Sequence, residues 1–114
     1  MKYTLRISAP AVQDIADVLA FTSAQFGEKQ QKIYQRIIRD ALAELAANPE
    51  NLRSKPRPEI HADARTMHLG RRGKPARHLF LYRIKDDHFV DIARLLHDSM
   101  EIQRHIPADF EEDG

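Results

Sequence analysis

The chain contains no cysteine. That excludes a disulfide framework and a thiolate zinc site, and nothing else in the sequence calls for an oxidising compartment. It also lacks long apolar runs. No stretch approaches 18 apolar residues, and the opening MKYTLRISAP has no apolar core of the kind a secretory leader needs. A cytoplasmic chain with no membrane span is expected. Also missing are the G-x-S-x-G elbow, the phosphate-binding P-loop, the G-x-G-x-x-G dinucleotide fingerprint and the H-E-x-x-H pair. Six histidines stand at 61, 68, 78, 88, 97 and 105 without metal-site spacing, so neither a metal nor a cofactor is expected.

Net charge is nearly absent too, at +1. The balance hides a polarity. Residues 1–51 are neutral, residues 52–85 carry ten Lys and Arg against only Glu59 and Asp63, and residues 86–114 carry Arg94 and Arg104 against nine acids. Such asymmetry concerns partners rather than fold. The basic middle suits an anionic partner, or is a solvated surface balanced by the acidic end.

What is present is a clear periodicity. Tyr3, Leu5 and Ile7 alternate with Lys2, Thr4 and Arg6, the period of a strand with one buried face. Ser8-Ala9-Pro10 is a helix start, and Val12, Ile15, Ala16, Leu19 and Phe26 follow helical spacing, predicting a helix over 10–25 that Gly27 ends. Ile33, Ile37, Ile38, Leu42 and Leu45 form the stripe of a second helix from about Glu28 to Asn48-Pro49. So short a joint makes an antiparallel helical hairpin. Residues 49–64, with Pro49, Pro56 and Pro58, read as a connection. Residues 66–69 suggest a short strand, GRRGKPAR (70–77) a mobile basic loop, HLFLYRI (78–84) a strand, Asp86-Asp87 a hairpin turn, and HFVDIARLLH (88–97) the returning strand.

The order β-α-α-β-β-β-α makes an α+β domain over 1–107: an antiparallel sheet, a helical hairpin packed on one face and a short C-terminal helix. Residues 108–114 form an acidic tail. Asp98-Ser99-Met100-Glu101 fits a capping box for that last helix. Ile102 and Ile106 share one helix face and suit the sheet edge, and Pro107 is a stop. The same stretch could instead be chemical, because His97 leaves a strand and His105 follows one helix later, where the two could meet as acid and base. A lone terminal histidine is more often an ordinary surface or cap residue. Gly70-Arg71-Arg72-Gly73-Lys74 is too short to cradle a phosphate, so it is either a solvated connection or a contact for an anion.

These residues line up with a known group. "HLFLYRI…FVDIARLLHDSMEIQRHI", with Phe26-Gly27 between the helices, Asn48-Pro49 after them and Arg65…Leu69-Gly70, resembles the RelE/ParE superfamily of toxins from bacterial type II toxin–antitoxin modules. The likeness covers residues 2–106 and is nearer to the ParE branch. It implies a small α+β toxin neutralised by a cognate antitoxin of the ParD kind, which binds operator DNA and brings the toxin there only indirectly. ParE-like toxins generally poison DNA gyrase, whereas RelE-like relatives cleave mRNA in the ribosome. At the Lys/Arg positions of the nuclease branch this chain has Thr66, His68, His78, Leu79 and Ser99, and His105 stands where that branch has a Tyr or His near the C-terminus. Phosphodiester cleavage needs cations against the developing charge, so the resemblance favours a gyrase inhibitor that is not an enzyme. A nuclease would have to use Arg65, Arg77, His97 and His105. Arg71, Arg72, Lys74, Met100 and Arg104 are the candidate target-binding residues.

Overall fold

Ser8 sets the entry to the first helix. A computed structural model describes residues 2–106, and there the Ser8 hydroxyl accepts the Ala11 N–H at 3.1 Å while Pro10 occupies the first turn. Helix α1 (Ala9–Phe26) runs to Gly27, whose φ of +92° only glycine takes without strain. Helix α2 (Glu28–Ala47) starts at once, which folds the pair into the expected hairpin. The predicted Pro107 stop and the 108–114 tail lie outside the described residues.

Five strands form one sheet in the order β1-β5-β4-β3-β2: β1 (Thr4–Ile7), β2 (Ser54–Pro56), β3 (Ala64–His68), β4 (His78–Lys85) and β5 (Phe89–His97). Three ladders are antiparallel, but β1 pairs parallel to β5, so the sheet is mixed rather than antiparallel throughout. The helical hairpin is the crossover that makes this possible, because it returns the chain to the far edge. A bidentate Arg6–Asp91 pair, with the guanidinium 4.0 Å from the Phe89 ring centre, reinforces that edge. Strand β2 lies inside the segment expected to be a plain connection. It is three residues long and ends on Pro56, which suits an outer edge.

Residues Asp86 and Asp87 both take positive φ, and the Lys85 carbonyl accepts the His88 N–H at 3.3 Å, so the β4–β5 turn forms as expected. Farther along, the pairing slips: Leu81 faces Arg94, but Tyr82 faces Ile92. Ala93 is the extra residue of a bulge. The slip puts both Ile92 and Leu95 on the hairpin side, where they pack with Phe80, Tyr82, Met67, Ile37, Ala41 and Leu45. Ala93 joins Leu81 and Ala64 on the opposite face.

That second face is covered by Ile60 and by Ile102 and Ile106. The C-terminal segment therefore packs on the sheet's face, not its edge. Nor is it the expected capped helix. It is a single 3-10 turn, Ile102–His105, begun by Glu101 without a side-chain cap. Asp98 is engaged elsewhere, as described below.

Candidate functional site

Strands β3 and β5 run the same way and β4 runs against them. The C-terminal ends of β3 and β5 thus share one end of the sheet with the N-terminal end of β4. His68, His97 and His78 occupy those three ends. Aligning strand ends would have brought them together from the sequence. What the sequence did not show is the fourth member, Tyr34, contributed by α2 from 44 residues away.

The Tyr34 hydroxyl lies 2.6 Å from His78 Nδ1 and also accepts the Arg77 backbone N–H at 3.3 Å. The His78 ring meets His97 edge-on, with centres 5.2 Å apart. Asp98 follows His97 and receives three neighbours. His68 Nε2 is 2.9 Å from Oδ2, the Arg77 guanidinium is 3.2 Å from Oδ1, and His97 Nδ1 is 3.6 Å from Oδ1. The Asp98 backbone N–H donates to the Arg77 carbonyl at 2.8 Å, and Ser99 closes on His97 Nδ1 at 2.7 Å. A carboxylate held by such distant partners has no need of a local cap, which explains the missing capping box.

Hydrogen bonds from His68 and Arg77 lower the Asp98 pKa to about 2. Burial, helped by the charge of His97, lowers His78 to about 4. Burial raises the Tyr34 hydroxyl. At neutral pH the centre of the cluster is thus an uncharged imidazole on a phenol, beside a carboxylate whose charge is balanced by Arg77. It joins three strands to α2.

The His78 shift has a pH consequence. Its folded pKa lies below the unfolded value of about 6.5. The unfolded chain therefore takes up a proton between about pH 6.5 and pH 4 that the folded chain refuses. Stability contributed by neutral His78 is full above that window and falls on acidification, by at most about 1.4 kcal/mol per pH unit. Urea midpoints at pH 7 and pH 5 should differ less for His78→Gln than for the parent. Equal differences would remove His78 from the account.

Of the four residues a nuclease would use, the structure gathers Arg77 and His97, both on Asp98. Arg65 donates to Ser54 Oγ at 2.7 Å and lies 3.9 Å from Glu50, beyond the end of α2. His105 offers its carbonyl to Arg94 at 3.1 Å, and the anticipated meeting with His97 is not among the contacts seen. The target-binding candidates divide as well. Arg71 and Lys74 bond backbone to backbone around Gly73, and Arg71 reaches Asp40 at 3.2 Å, so the basic loop is a closed turn tied to α2. Arg72 and Lys74 stay exposed. Arg104 pairs with Glu101 at 2.9 Å.

Met100 belongs to a different feature. A groove of about 600 Å³ runs between the tip of the hairpin and the histidines, lined by Phe21, Phe26, Ile33, Tyr34, His78 and His97. An adjoining hollow of about 360 Å³ extends it past Phe21 to Met100. Phe21 and Phe26 are 61% and 66% exposed. Helical spacing had placed Phe26 and Val12 on the buried face of α1, yet both face solvent. Ala11, Ile15, Val18 and Leu19 are the residues that meet the core.

No ligand-forming group of three or more His, Asp or Glu occurs among the described residues, and no helix there is long and apolar enough to cross a membrane. The fold resembles a chain of the toxin–antitoxin complex RelBE2 from Mycobacterium tuberculosis, with a TM-score of 0.60 and 22% identity over 85% of this chain and 99% of that one. No curated protein matches in sequence. The family model described as the ParE toxin of the type II toxin–antitoxin system parDE matches residues 5–102. The chain belongs to this ParE toxin family.

Proposed function

We propose that this toxin acts in the cytoplasm by binding DNA gyrase and arresting it, and that a cognate antitoxin of the ParD kind neutralises it and carries it to operator DNA. The observation that carries this reading is the state of the histidine cluster. Its carboxylate is already balanced, its central imidazole is neutral, and its one guanidinium is engaged. A phosphoryl transition state needs uncommitted cations, and at this end of the sheet Thr66, Leu79 and Ser99 supply none. Family membership supports the same direction. Exposed Met100, with Arg72 and Lys74, supplies target contacts, while Arg71 and Arg104 are held by Asp40 and Glu101. Purified toxin should block supercoiling of relaxed plasmid by gyrase at concentrations that stop growth. Unchanged supercoiling at such concentrations would refute the target.

One observation favours a second reading. The Arg77 side chain is 70% exposed beside the paired rings of His78 and His97. On that reading the toxin cleaves mRNA in the ribosome as RelE-like relatives do. Truncated transcripts after induction, lost in His97→Ala while antitoxin binding survives, would establish it against gyrase.

A further inference from the structure

Helix α2 carries a cationic row that the cluster and the groove leave unused. Lys29, Lys32, Arg36 and Arg39 recur at helical spacing and fall within about 80° of arc along about 15 Å of axis. All four are exposed, and none has an ion-pair partner among the described residues. The neighbouring acids are removed from the row. Asp40 is held by Arg71, and Glu44 is held by Arg53. Glu28 remains only at the N-terminal turn, where its charge favours the helix. The closed β3–β4 turn then adds Lys74, which lines one shallow groove with Lys29, Lys32 and Arg36 over a floor of Ile33 and Ile37.

We propose that this row is a binding surface for the phosphate backbone of duplex DNA, used by the toxin without any other protein. About 15 Å of duplex axis carries about four phosphates on each strand, which matches four cations on a rigid helix. Single-strand binders stack bases on aromatic side chains, and no aromatic residue lies among these cations. The row has no side chain set to read base edges in a groove, so the binding is independent of sequence. It goes beyond the gyrase reading and needs no gyrase to be tested.

The experiment is fluorescence anisotropy of purified toxin with a labelled 20-base-pair duplex across a potassium chloride series. Affinity should fall as salt rises, and Lys32→Gln/Arg36→Gln should weaken binding at least tenfold at low salt. The same change should reduce the log–log salt slope by about 2, since each lost phosphate contact removes about 0.9. Lys2→Gln/Lys55→Gln, which removes the same charge from exposed sites off α2, should bind like the parent. Thermal melts establish that each variant is folded, and Lys29→Gln/Lys74→Gln replaces the first pair if it is not. Equal weakening by the off-helix control would reduce the effect to bulk charge and overturn the proposal. Tenfold tighter binding of single-stranded RNA would overturn it too. So would a surface that binds polyglutamate and ignores the duplex.

Discussion

Asp14→Ala is expected to lower unfolding free energy by about 2–4 kcal/mol, a large share of the roughly 5–15 kcal/mol that a domain of this kind possesses. Strand β1 pairs with β5 only as far as Ile92, and from Ala93 onward that edge of β5 has no neighbouring strand. Helix α1 takes the strand's place with side chains. The Ser8 hydroxyl donates to the Ala93 carbonyl at 2.7 Å, and the Asp14 carboxylate accepts the Leu95 N–H at 3.0 Å. The same carboxylate holds Arg94 through two bonds of 2.7 and 2.9 Å. These bonds raise the Arg94 pKa further. The Asp14 and Arg94 side chains are 13% and 24% exposed, so water replaces the lost partner poorly. Alanine at 14 leaves the Leu95 N–H without its acceptor and the Arg94 guanidinium with only the His105 carbonyl. Arg94→Met should cost less, because Asp14 keeps the Leu95 N–H. Asn at 14 should recover part of the loss as a neutral acceptor. Urea denaturation of the three variants tests the ordering, and a loss below about 0.5 kcal/mol for Asp14→Ala would show that the edge does not depend on it.

How much of this was legible beforehand depends on the range of each interaction. The two helices and the β4–β5 hairpin rest on signals a few residues apart: Ser8 and Pro10, Gly27, the Ile37-Ile38-Leu45 stripe, and Asp86-Asp87. Those were readable. The Ala93 bulge was not, because its cause is the Leu81–Tyr82 register on another strand. From the sequence alone the run Ile92 to Leu96 looks like an ordinary buried strand. Strand β2 was hidden by Pro56 within it and Pro58 just after it, and exists only because Met67, Thr66 and Arg65 offer it a partner.

The stretch from His97 to Ile106 shows the same division. Locally, Asp98 and Glu101 spell a helix cap. In the fold, Asp98 has the His68 ring and the Arg77 guanidinium at hand, 30 and 21 residues away, and these two partners outcompete a single backbone N–H. The helix that depended on the cap shrinks to one turn, held by Ile102 and Ile106 on the sheet. The site was legible residue by residue: His68, His78, Arg77 and His97 each drew notice. Aligning the three strand ends brings the histidines together, but Tyr34 joins them from α2, 44 residues from His78, with no local signal to announce it.

Phe21→Asp combined with Phe26→Asp is expected to weaken the proposed antitoxin complex at least 100-fold while leaving the free toxin's stability within about 0.5 kcal/mol. Both rings are largely solvent-exposed, so the fold draws little from them. The groove they flank joins Ile33, Tyr34 and the histidine pair, and continues to Met100. An apolar channel beside exposed aromatics suits an amphipathic segment laid along it with anchors at helical spacing. A carboxylate at each ring position opposes that burial twice. The measurement is calorimetric titration with the purified cognate antitoxin, alongside urea denaturation of the variant alone. Unchanged affinity would move the antitoxin off this groove. A matching loss of stability would mean that the two rings hold the hairpin rather than the partner.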